Sequence, residues 1–227
     1  MATPQHGAPS TGMGREERFT PDSSGTFARF GRGAVGGKAQ GLLRMQAILD
    51  SHFEPGDAAA CTVEIPRLSI ITTDQFDLFL EGNRLRDIAR SSAQDCHIAN
   101  AFQKAALPEP LVHALRELIA HERAPLAVRS SSLLEDALQE PFAGVYATKM
   151  VPNNQFSAEA RLRTLVEAIK FVYASTFFED AKSYRKALAR SDDEEKMAVI
   201  IQKVVGRRHG DRFYPTISGV GRSYNFY

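Results

Sequence analysis

The sequence predicts a mixed α+β domain, and three observations carry that expectation. Apolar, β-branched runs such as MAVIIQKVVG, Met197 to Gly206, have the length and composition of buried strands. Longer segments between them repeat their apolar residues at helical spacing, the longest from Ser157 to about Ala189. Strands and helices are interspersed along the chain, an order that points to an α+β or α/β arrangement. With 227 residues, 43% of them hydrophobic, the chain can fill a real core, as one large domain or two small ones.

Taken in order, residues 1 to about 25 are rich in Pro, Gly, Ser and Thr and bury too little apolar surface to offset the entropy of ordering, so they read as a flexible tail. The remainder, 26–227, reads as one domain. GTFARF is a short, poorly patterned strand. From about Gly37 a helix follows, with Leu42, Leu43, Met45, Ile48 and Leu49 at helical spacing and a glycine-rich start. Ile65 to Thr72 reads as a strand, with Thr73 able to cap a short helix through Leu80. Two or three helices are expected between Asn83 and His121, broken by Pro108 and Pro110. The stretch PLAVRSSSLLEDALQEPFAGVYATKM, Pro125 to Met150, supplies two strands around a polar loop. Ser157 to Ala189 is a core-facing helix or a broken pair. Asp192 to Lys196 reads as a solvated connection before the strand that starts near Met197. The end, RFYPTISGVGRSYNFY, reads as a strand and turn, and its apolar, aromatic finish suggests a cut inside a longer protein.

Bulk properties narrow the function. With 28 Lys and Arg against 27 Asp and Glu, the balance does not call for nucleic acid or an anionic membrane as partner. Cys61 and Cys96 have no metal-type spacing and read as reduced packing residues, and neither a membrane span nor a secretory signal is evident, which makes the cytoplasm the default compartment. His97, His113 and His121 read as ordinary helix residues, and no carboxylate pair marks glycosidase chemistry.

Two segments carry anion chemistry. GRGAVG, Gly31 to Gly36, matches G-x-G-x-x-G but lacks a convincing strand before it, and it is not a phosphate-binding Walker loop, which would need glycine in place of Arg32 and Ser or Thr in place of Ala39. Gly36, Gly37 and Lys38 at a helix start offer backbone amides beside an ammonium, a seat for phosphate oxygens, or else a glycine turn with a surface lysine. Arg129 follows an apolar run, so its guanidinium is expected to emerge at the strand's end, there to bind phosphate, to pair with Glu135 or Asp136, or both. Ser130, Ser131 and Ser132 have no sequence-local His base, which argues against a serine hydrolase. Gly144 permits close backbone approach, and Tyr146 and Thr148 are expected on one face of the returning strand.

Three segments in order, GGKAQGLLRM, AVRSSSLLEDALQEPFAGVYAT and MAVIIQKVV, resemble the N-terminal nucleotide-binding region of the phosphoenolpyruvate synthase and pyruvate phosphate dikinase family, shared with rifampin phosphotransferase and related to glucan water dikinases. The likeness spans roughly residues 30 to 205. It implies the N-terminal part of an ATP-grasp-like domain. In that family the lysine of the GGK motif and the arginine of VRSS contact ATP phosphates, which gives those roles to Lys38 and Arg129. The FAG glycine and a threonine four residues on lie against the nucleotide, matching Gly144 and Thr148. The strand at the adenine pocket matches Gln202, Lys203, Val204 and Val205, whose backbone groups are expected to read the base edge. Departures are Val145-Tyr146-Ala147, where the family often carries an acidic residue at the position of Ala147, and the variant Ser218 to Ser223.

The resemblance implies an ATP-dependent phosphotransferase that passes a phosphoryl group from ATP to a histidine and then to a small acceptor such as pyruvate. Its Mg²⁺ ligands, the phosphorylated histidine and the acceptor-binding domain are expected beyond Tyr227, so that this chain alone would not turn over. Two rivals stand beside it: a nucleotide-binding module that regulates or scaffolds without catalysis, and a dinucleotide-dependent oxidoreductase resting on GRGAVG.

Overall fold

A computed structural model describes residues 18–22, 25–52, 62–133, 144–189 and 195–221. The expectations for the tail ahead of residue 18, for Cys61, and for Glu135 and Asp136 as partners of Arg129 lie outside the described residues.

A six-stranded sheet organises the domain. Its strands are β1 (Thr20–Pro21), β2 (Phe27–Phe30), β3 (Leu68–Ile71), β4 (Leu126–Ser132), β5 (Thr148–Val151) and β6 (Met197–Lys203). Their spatial order is β1-β2-β3-β6-β4-β5, with β2 and β3 parallel and the other neighbours antiparallel. The sheet is therefore mixed, and with its helices it forms the α+β arrangement that the interspersed strands and helices predicted. A separate hairpin pairs β7 (Arg207–His209) with β8 (Arg212–Tyr214). Among the described residues, seven helices connect and cover the strands: α1 (Gly37–His52), α2 (Thr73–Gly82), α3 (Arg86–Arg90), α4 (Asp95–Lys104), α5 (Glu109–His121), α6 (Ala158–Ser175) and α7 (Glu179–Ala187).

The two faces of the sheet differ. Val128, Met197, Val199 and Ile201 face a large core with Leu115, Leu165, Ile169 and Val172. An aromatic group within it joins Phe76, Phe79, Phe102, Tyr173 and Phe177, with neighbouring ring centroids 5.0 to 6.0 Å apart. On the opposite face Phe27, Leu68, Ile70 and Ile200 pack against Ala39 of α1. This second layer is thin. Met45 and Ile48, which share the helical pattern that predicted α1, are both half exposed, so α1 rests on the sheet through its first turns, which reach the end of β4, and among the described residues it leaves Thr148 and Met150 of β5 open on that face.

Local chemistry explains most boundaries. Ser157 caps α6 by accepting from the Ala160 amide, and Phe178 separates α6 from α7, so the long amphipathic segment is a broken pair. Pro110 sits in the first turn of α5, where a missing amide hydrogen costs nothing. Other expectations need correction. The residue ahead of α2 is Thr72, not Thr73, and its hydroxyl bonds the Phe30 carbonyl instead of capping the helix. GTFARF contains a genuine strand, because parallel pairing with β3 supplies what its pattern lacks. The run before β6 is not wholly solvated: Glu195 is buried and Lys196 bonds Asp77 at 2.5 Å. Tyr146 and Thr148 do not share a face. Tyr146 belongs to a bend ahead of β5 and turns inward, while Thr148 is exposed, because two-residue alternation begins only with the strand.

Candidate functional site

The glycine-rich loop and the serine-rich strand meet at the start of α1. Gly36 has φ +73°, and a Cβ added there would lie 1.8 Å from the Ser131 carbonyl oxygen, so only glycine lets the loop approach β4 this closely. Ser131 uses that approach: its hydroxyl donates to the Val35 carbonyl at 2.9 Å and accepts from the Ala39 amide at 3.0 Å. One of the amides left without a partner in the first turn of α1 is thereby satisfied. Beside it the Lys38 ammonium, half-buried, donates to the Ser130 hydroxyl at 3.0 Å. The lysine is thus drawn onto β4 and does not dangle from a surface turn.

The first half of the loop faces a different anion. The amides of Arg32 and Gly33 donate to the Asp74 carboxylate at 3.1 and 2.9 Å, and the Ala34 amide donates to the Thr73 hydroxyl at 3.0 Å. Burial pushes the Asp74 carboxyl up, but hydrogen bonds from Thr72, these two amides and Gln75 outweigh it and hold it below the usual carboxylate range. A dinucleotide pyrophosphate would need those same amides. The G-x-G-x-x-G match is therefore an internally capped turn, and the oxidoreductase reading loses its only support.

Strand register assembles the rest. Arg129 on β4 lies directly opposite Thr148 on β5 and Ile200 on β6. Two residues along, Ala127 lies opposite Met150 and Gln202. Paired residues project to the same side, so Arg129, Thr148, Met150 and Gln202 share the face that α1 leaves open. The Arg129 guanidinium donates to the Gln202 side-chain oxygen at 2.9 Å. Here the sequence expectation is corrected in position: β4 continues three residues past Arg129, so the arginine emerges from the middle of the sheet and is aimed by a neighbouring strand. Met150 is 62% exposed beside it, an apolar platform next to a cation. Such a surface accommodates a flat, apolar group carrying negative charge.

Gly144 lies in the turn leading to β5 with φ +82°, and nothing stands within 4 Å of a Cβ built there. Its role is conformational, not the close approach expected of it. Lys203, Val204 and Val205 lie at and beyond the end of β6. The Lys203 amide donates to the Arg67 carbonyl at 3.0 Å and the Val204 amide to the Pro125 carbonyl at 2.9 Å, so a base edge there would be read by other groups of the segment. All three line a cavity of about 950 Å³ with Gln46, Asp50 and Glu64. Val204 also lines one of about 400 Å³, whose apolar wall includes Met150, Pro125 and Phe213 and whose rim includes Arg123 and Arg212. Lys38, Arg129, Thr148 and Gln202 are thus gathered around β4, while Lys203, Val204 and Val205 stand at the far end of β6.

Sequence reasoning missed Ser131, Asp74 and Met150. Ser131 was one of three adjacent serines with no feature to separate it from its neighbours; only the contact with Gly36 does so. Among the described residues, no group of three or more His, Cys, Asp or Glu side chains could hold a metal ion, and no helix is long and apolar enough to cross a membrane.

The family described as pyruvate phosphate dikinase, AMP/ATP-binding domain, matches residues 32–226. A rifampicin phosphotransferase of Streptomyces sviceus is 27% identical over 173 residues, covering 70% of this chain and 18% of the relative. A phosphoenolpyruvate synthase of Aeropyrum pernix is 24% identical over 195 residues, covering 77% of this chain and 21% of the relative. The chain spans about a fifth of the length of these curated relatives.

Proposed function

From the premise that the chain belongs to the pyruvate phosphate dikinase AMP/ATP-binding domain family, we propose that the open face of the sheet binds ATP as part of a dikinase-like phosphotransferase. The observation that carries this reading is the meeting of Arg129, Thr148 and Gln202 on one face of the sheet, from three different strands, with the Lys38 ammonium held at Ser130, the next residue of β4. Lys38 and Arg129 place positive charge where the phosphates would lie, and preorganised cations of this kind stabilise the charge that develops during phosphoryl transfer. Gln202 fixes the guanidinium plane. Thr148 offers a hydroxyl across from it, and Gly144 sets the turn that delivers Thr148. Met150, with Val204 and the surrounding segment from Gln202 to Val205, would receive the base.

In the whole protein the phosphoryl group would pass to a histidine and then to a small acceptor, pyruvate being the acceptor that the phosphoenolpyruvate synthase likeness suggests. Mg²⁺ accompanying ATP would supply further charge neutralisation. The domain assignment, 26–227 as one nucleotide-binding unit, goes with this reading.

Thermal unfolding of the chain with added nucleotides tests it. A ligand that binds only the folded state stabilises by about 2.7 kcal/mol at a hundred times its Kd. ATP should raise the midpoint and NAD should not; a rise with NAD and none with ATP would overturn the proposal.

A further inference from the structure

Beneath the turn that delivers Thr148 lies a buried polar group that the nucleotide face does not itself use. The Tyr146 hydroxyl donates to Oε2 of Glu195 at 2.5 Å, and the Arg185 guanidinium of α7 borders the same phenol. All three side chains are nearly or fully buried. They come from the bend before β5, the second residue ahead of β6 and a helix of the covering layer. Two backbone ties flank them: the Ala147 amide donates to the Ser175 hydroxyl at 3.1 Å, and the Leu133 amide at the end of β4 donates to the Lys196 carbonyl at 3.2 Å.

Core packing does not require such a group. A buried tyrosine, carboxylate and arginine must be mutually paired to repay desolvation, and well-packed apolar residues of similar volume often stabilise as well or better. What hydrogen bonds add is direction. Burial and the Glu195 carboxylate push the Tyr146 phenol well above its ordinary range, partly opposed by Arg185, so the hydroxyl keeps its proton and remains a donor at neutral pH. Tyr146 stands two residues before Thr148, and Thr148 stands opposite Arg129.

We infer that Tyr146, Glu195 and Arg185 form a positioning network for the phosphate end of the nucleotide site, holding the backbone from Gly144 to Thr148 so that the Thr148 hydroxyl stays across from Arg129. The inference rests on the reading of that face as an ATP site. Its three members touch no nucleotide; they act through Thr148.

A double-mutant cycle in the chain tests it, with ATP affinity measured by calorimetry and folding checked by thermal unfolding. Tyr146→Phe, which removes one oxygen, should weaken ATP binding about three- to tenfold. In a Thr148→Ala background the same change should have less than about a twofold further effect, because the residue through which it acts is gone. Glu195→Gln keeps an oxygen for the phenol and should retain most of the affinity, whereas Glu195→Ala should match Tyr146→Phe. Equal losses in both backgrounds, or unaltered affinity in Tyr146→Phe while Arg129→Ala is damaging, would overturn the network and leave the ATP site standing. Unaltered affinity in Arg129→Ala would overturn the site, and the network with it.

Discussion

Gly36 and Gly41 stand five residues apart at the start of α1, and the structure assigns their replacement by alanine opposite signs. A Cβ on Gly36 would fall 1.8 Å from the Ser131 carbonyl oxygen and 2.4 Å from its carbon, and the backbone there has φ +73°. The left-handed conformation costs a residue with a Cβ about 1–2 kcal/mol. Relief of the overlap must move backbone on both sides, adding about 1–3 kcal/mol. The displacement also endangers the two hydrogen bonds of Ser131, adding about 1 kcal/mol, so the total is about 3–6 kcal/mol, a large part of the roughly 5–15 kcal/mol that stabilises a typical domain. Gly41, inside α1, has nothing within 4 Å of a Cβ, and alanine there should stabilise by about 0.5–1 kcal/mol. Urea unfolding followed by far-ultraviolet circular dichroism reads both changes as midpoint shifts. Equal midpoints for wild type and Gly36→Ala would refute the argued contact between loop and strand.

Three further outcomes follow from the same geometry. Ser131→Ala removes a buried donor and acceptor at once and should lower stability by about 1–3 kcal/mol in the same urea assay. Asp74 has its folded pKa depressed, so its contribution is present above the unfolded value near 3.8 and is lost as pH falls through the folded value; the stability gap between wild type and Asp74→Asn should be open at pH 6 (about two units above that value) and narrow below pH ~4, as followed by thermal unfolding across pH. A gap constant across that range would contradict the depressed carboxyl. Gln202→Leu frees the Arg129 guanidinium from its partner and should weaken ATP binding by about five- to tenfold with little change in unfolding midpoint, measured by calorimetry.

Legibility in the sequence followed the range of the interactions. The helical segment that forms α6 and α7, read as one helix or a broken pair, and the strand β6 were legible because periodicity is a local property of a few consecutive residues. Strand β2 was underrated because its support comes from parallel pairing with β3, some forty residues on. The site divides the same way. Lys38 and Arg129 stood out by their motifs, whereas Ser131 and Asp74 gain meaning only from contacts with the glycine loop, 96 and 41 residues away in sequence. Glu195 was misread for a similar reason. In a run of charges the expected state is solvated, and nothing within the run marks Glu195 as a carboxylate that a distant tyrosine will draw into the core.

The central claim is that Arg129, aimed by Gln202 across the sheet, holds nucleotide phosphate. The most direct measurement is a calorimetric titration of the chain with ATP, wild type beside Arg129→Ala, at one salt concentration. Charged hydrogen bonds of about 1.5–3 kcal/mol correspond to a loss of affinity of about ten- to a hundredfold in the variant, with saturable binding in the wild type. Equal affinity for ATP in a folded Arg129→Ala chain would contradict it.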